Sequence, residues 1–152
     1  MTEPADTQIS EVITTKADND WLLENIVQFL VNNGVSIGLT LTFGGTTISG
    51  MAISGEAFFG KLADSVKTAK GPSEPSFLNF LSEHFAAYKE VYQKPVDASE
   101  DYVGPKAAYI HLENAYIIAP GQIAMPGSPG MLWRGKISDV SGFSLGNISS
   151  GN

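Results

Sequence analysis

The sequence predicts an α+β fold: a small antiparallel sheet of about five strands, an N-terminal helix, and two helices inserted between strands two and three. Three observations predict it. Residues 18–34 carry Leu22, Leu23, Ile26, Val27, Leu30 and Val31 at helical spacing. Residues 35–43 then switch to period two, with Ile37, Leu39, Leu41 and Phe43 alternating with small or polar residues up to a Gly44-Gly45 hairpin signal. Two amphipathic helical stretches follow before strand-like alternation returns at residue 107.

Asp18 or Asn19 suits the start of the first helix and Gly34 its end. The second strand, 46–54, holds Gly50 at its centre, where a bend or bulge is expected. Ser54 is placed to cap the helix over 55–70, whose apolar face is Phe58, Phe59, Leu62 and Val66. The GPSEP run at 71–75 breaks that helix, and another over 76–94 presents Phe77, Leu78, Leu81, Phe85, Tyr88 and Tyr92. An acidic loop spans 95–106. The third strand, 107–118, sets Ile110, Leu112, Tyr116 and Ile118 on one face and Tyr109, His111, Glu113 and Ala115 on the other. A loop with three prolines and three glycines fills 120–130, and strands four and five fall at 131–138 and 142–148. Residues 1–17 read as a loose arm, 18–148 as one α+β domain with helices on one side of the sheet, and 149–152 as a frayed tail. The bend within the hairpin suggests an Sm- or SH3-like half-open barrel, a likeness of fold that says little of function.

Composition narrows the function. The chain has 152 residues, long enough for a core without staples, and 43% of them are hydrophobic. Nine basic residues face sixteen acidic ones, for a net charge of −7 and no basic run. That balance argues against nucleic acid, whose phosphates are neutralised by Lys and Arg, and against anionic membrane surfaces. No cysteine is present, which removes disulfides, thiolate metal sites and cysteine nucleophiles. Without a signal-like start or a long apolar run, a cytoplasmic location is the default expectation.

Candidate chemistry is thin. His111 and Glu113 share a strand face, and a histidine beside a carboxylate is able to bind a metal or share a proton. That supports one alternative, a small metal- or ligand-binding domain or hydrolase. The plainer role is the wetter face of an amphipathic strand, because His84 is the only other histidine and no HxxxH or HxxE spacing accompanies it. Ser54 in ISGE does not match a GxSxG nucleophile turn, and Gly44-Gly45 lacks the lysine and spacing of a phosphate loop. No cofactor is expected.

The densest stretch is 131–146, MLWRGKISDVSGFSLG. On a strand, Trp133 turns inward with Gly135 and Ile137, while Arg134 and Lys136 face out, able to pair across the sheet with Glu113. Val140, Phe143 and Leu145 are expected to complete the core. Trp and Arg are also enriched at binding hot spots, so Arg134, Lys136, His111 and Glu113 are the candidate partner contacts.

Three runs carry a resemblance: GLTLTFGGTTISGMAISGEAFF, YIHLENAYI and LWRGKISDVSGFSLGNI. Within them, IHL at 110–112, WRGKI at 133–137 and the GFSLG ending at 142–146 are the most specific. Over residues 35–59 and 107–148 the chain resembles the gas vesicle protein U family. The resemblance implies a non-enzymatic accessory factor of gas vesicles, which are protein-walled, gas-filled cytoplasmic compartments. Such a factor would assist assembly, solubility or organisation through contacts with shell or other accessory proteins, with self-association expected. A generic Sm-like assembly module unrelated to gas vesicles is the other alternative.

Overall fold

The structure, a computed structural model, describes residues 19–71, 73–121 and 130–148. The expected arm at 1–17, most of the 120–130 loop and the tail at 149–152 lie outside the described residues.

Helix α1, residues 21–33, is a composite. An α-helical turn Trp21–Asn25 passes into a π-helical turn Ile26–Leu30 and a 3-10 turn Val31–Asn33. Asp20 caps it, its Oδ1 accepting from the Leu22 and Leu23 amides at 2.9 and 3.3 Å. Gly34 ends it in the left-handed conformation (φ 94°), which only glycine adopts without strain. Strand β1 (Ile37–Phe43) and β2 (Thr46–Ile53) form the expected hairpin, with both turn glycines at positive φ. Helices α2 (Gly55–Lys67) and α3 (Pro75–Ala87) are the insertion, and α3 runs on as a 3-10 turn, Tyr88–Tyr92. Ser54 caps α2 as expected, accepting from the Ala57 amide at 3.1 Å. Strands β3 (Tyr109–Ile118), β4 (Met131–Lys136) and β5 (Gly142–Leu145) complete an antiparallel sheet in the order β4-β3-β2-β1-β5.

The α+β class, the strand number and the insertion follow the expectation. The sheet is not closed, because β4 and β5 are its edges and do not pair with each other. It is nonetheless curled: Trp133 of β4 meets Phe43 of β1, three strands away, with ring centroids 5.0 Å apart. Flat strands about 4.8 Å apart would hold those backbones roughly 14 Å from each other. A 3-10 turn, Ile137–Asp139, links the two edges, where the sequence pattern had extended β4 to residue 138.

Helices on one side is the expectation that fails. Leu112 packs in a core with Leu39, Leu41, Ile110, Ile137 and the α1 residues Leu23, Val27 and Val31. His111, adjacent on β3 and therefore pointing the other way, packs against Phe58 and Phe59 of α2. The sheet is thus covered by α1 on one face and by α2 and the 3-10 turn Tyr88–Tyr92 on the other, with α3 packed outside on α2. Both faces of β3 are apolar enough to bury, and a one-sided reading has no place for the second.

The expected irregularity at Gly50 is real, but the extra residue lies in β3. Opposite Gly50 the register shifts between Ser49 and Met51, and Asn114 takes φ 50°. A Cβ on Gly50 would stand 2.9 Å from the Glu113 carbonyl oxygen, so the bulged strand requires glycine there. The bulge also moves Ala115 onto the Leu112 face, correcting its expected place beside His111. Trp133 lies flat across Gly135, where any Cβ would collide with the indole. Leu145, expected in the core, is 69% exposed because β5 is a short edge strand.

Candidate functional site

All four candidate contacts lie on the face covered by α2 and the 3-10 turn after α3. The ladder sets His111 opposite Arg134 and Tyr109 opposite Lys136, and Glu113 projects two residues beyond His111. The expected cross-sheet pairing with Glu113 does not form. Glu113 sits at the bulge, where the β3–β4 register breaks, and α2 brings Lys61 to it instead, Nζ to Oε2 3.0 Å.

His111 is 2% exposed, which corrects its expected place on a wet face. Its ring is enclosed by Phe58, Phe59 and Tyr92, with centroids at 4.6, 5.9 and 5.8 Å. Arg134 Nε donates to His111 Nε2 at 3.1 Å. That nitrogen is therefore an unprotonated acceptor, and the neutral ring carries its proton on Nδ1. Burial first, and the neighbouring Arg134 charge second, lower the His111 pKa from its ordinary value to about 4. The guanidinium of Arg134 lies 3.6 Å above the Tyr109 ring centroid, a stacked cation–π contact, with Phe59 at 5.9 Å. Lys136 is exposed on the same face.

Next to Arg134 opens a groove of about 390 Å³, walled by Phe59 and Leu62 of α2 and by Tyr88, Val91 and Tyr92 beyond α3. Outside it, α3 exposes an aromatic ridge, Phe77 at 54% and Phe80 at 64%, which leads to Val91 at the groove wall, 57% exposed. Phe80 stacks on His84, and His84 Nε2 shares a hydrogen bond with the Tyr88 hydroxyl at 3.0 Å. Facing α2, buried Ser82 donates to the Ala63 carbonyl at 2.9 Å and lets the helices approach closely. A smaller cleft of about 190 Å³ lies between Gln28 and Asn32 of α1 and the segment from Tyr102 to Gly104. Its one charged lining residue is Lys94.

This arrangement disfavours a metal at His111. A metal at His111 would have to displace Arg134 from the ring nitrogen and tolerate its charge. Glu113 is held by Lys61, and among the described residues no group of three or more His, Asp or Glu side chains is arranged to hold a metal. Sequence reasoning found Arg134 and His111 but missed the walls from α2 and the turn after α3 and the stacking of Tyr109 under Arg134. The signal present was aromatic density: Phe58-Phe59, then Phe77, Phe80, Tyr88 and Tyr92.

Among the described residues no helix is long and apolar enough to cross a membrane. Comparison with curated proteins gives no match, and comparison with solved structures gives none, so an Sm or SH3 likeness has no support from that side. A family model described as gas vesicle protein GvpU-like matches residues 20–148, spanning both faces of the sheet and every residue of the Arg134 cluster, and the chain belongs to that gas vesicle family.

Proposed function

We propose that the protein is a non-enzymatic gas vesicle accessory factor, cytoplasmic, that assists assembly, solubility or organisation of the vesicle through protein–protein contacts. Its partners are shell or other accessory proteins and further copies of itself. The observation that carries this reading is the exposed apolar ridge of Phe77, Phe80 and Val91 running to Arg134. Contiguous apolar surface rimmed by charge, rich in aromatic residues and arginine, is the composition of contact surfaces. Arg134 and Lys136 are the contacts. His111 is buried and acts by supporting Arg134, and Glu113 acts by its pairing with Lys61.

The test is a pull-down with gas vesicle shell protein, alongside mass by light scattering. Arg134→Glu and Phe80→Ser are expected to keep the circular dichroism spectrum and weaken association by about tenfold or more, the scale of a hot-spot loss. Unchanged association in both variants overturns the assignment of this surface as the contact.

A further inference from the structure

Arg134 is attached to the protein in a way that leaves its charge uncancelled. Its Nε is committed to a neutral acceptor, His111 Nε2, and its plane rests on Tyr109 at 3.6 Å. Both contacts fix the guanidinium without supplying an anion. Arg134 is exposed, and its two Nη groups form the edge that matches a carboxylate. Glu113, an acid on the same face, is taken by Lys61 at 3.0 Å, and among the described residues no carboxylate forms an ion pair with Arg134. This occurs in a chain with sixteen acidic and nine basic residues, where an acid would be easy to supply. Lys136, exposed two residues along the same face, adds to the local positive charge.

The apolar surface beside this cation has the dimensions of a helix seat. Phe77 and Phe80 on α3 lead past Tyr88 to Val91, a run of fourteen steps. At 1.5 Å per residue that is roughly 20 Å, about four turns of a helix laid alongside. At its end the groove of about 390 Å³ beside Arg134 takes an apolar anchor.

We propose that this surface docks an amphipathic helix of a partner protein, its apolar face along Phe77, Phe80 and Val91 and one of its carboxylates paired with the Nη edge of Arg134. The proposal rests on the accessory-protein reading and names the partner's chemistry. His111 is a positioning residue: it holds Nε so that the Nη edge faces outward before the partner arrives, which limits the ordering cost of binding.

The experiment titrates the full chain with three synthetic amphipathic peptides of about 14 residues. They are identical except for one rim position, which is Glu, Gln or Lys. Calorimetry is expected to show the Glu peptide binding about tenfold tighter than the Gln peptide and the Lys peptide weakest. Arg134→Gln is expected to erase the Glu preference and leave the Gln peptide's affinity unchanged. Arg134→Lys, which keeps the charge but loses the Nε anchor and the fork, is expected to retain only a small part of the preference. Phe80→Ser is expected to weaken all three peptides alike. Equal affinities for the Glu and Gln peptides overturn the proposal, as does a Glu preference that survives Arg134→Gln. No binding of any peptide at about 1 mM also overturns it. The accessory reading fails separately, if the wild-type chain captures no shell protein in the pull-down and stays monomeric by light scattering.

Discussion

The two faces of the sheet are built from neighbouring residues of the same strands and do different work. Leu112 points to a dry face closed by α1, where Leu23, Val27, Leu39, Leu41 and Ile137 are fully or almost fully buried. His111, one residue away, points to a face where a buried imidazole, a stacked arginine and a Lys61–Glu113 pair are mixed with aromatic rings. The first face buries apolar surface against the inner side of α1, whose outer side still exposes Trp21, Leu22, Phe29 and Leu30. The second face leaves a charge and a ridge of rings in solvent. On the proposed reading stability belongs mainly to the first and recognition to the second, and a single strand serves both because its side chains alternate.

The largest expected effect breaks the dry face. Leu112→Ala should cost about 2–5 kcal/mol, since Leu112 is completely buried and a cavity would remain. Urea unfolding checks it, and a loss below about 1 kcal/mol would mean that the α1 face is not the stabilising one.

Next comes the pH dependence of the mixed face. His111 titrates near 4 when folded and near its ordinary 6.5 when unfolded. Between those values the unfolded chain binds the extra proton, so stability rises with pH there. The His111 contribution is complete above about pH 6.5 and is lost as pH falls toward 4, a total of about 3 kcal/mol. His111→Gln keeps an acceptor for Arg134 Nε but does not titrate. Unfolding free energies measured across that window should show a shallower slope in the variant, and parallel slopes would show that His111 is not buried neutral.

The smallest effect tests whether the mixed face contributes through its charges. Lys61→Ala removes a pair whose lysine is half exposed and should cost no more than about 1 kcal/mol. A loss above about 2 kcal/mol would contradict the division between the faces.

Much of this architecture is legible in the chain. The alternation from Ile37 to Phe43, the Gly44-Gly45 turn, Ser54 before its helix and the inward set Trp133, Gly135 and Ile137 are local patterns with local causes. Gly50 announced a bulge, but the sequence could not say which of two paired strands carries the extra residue, because that depends on the partner's register. Leu145 misled because a period-two pattern does not reveal that its strand lies at an edge. His111 misled for a similar reason: strand alternation gives its face, while only the packing of α2 against that face makes it buried.

The sequence by itself determined the α+β class, the positions of strands and helices, the acidic character that argues against phosphate-rich partners, and the family markers at 110–112 and 133–137. These follow from spacing and composition, which are properties of short windows. Only the tertiary structure decided that helices cover both faces and that Glu113 belongs to Lys61. It also decided that Arg134 is held by a neutral histidine with its charge uncancelled. Those outcomes depend on which segments meet across roughly 20 to 80 positions of chain, and such meetings are fixed by the packing of whole elements rather than by any local propensity.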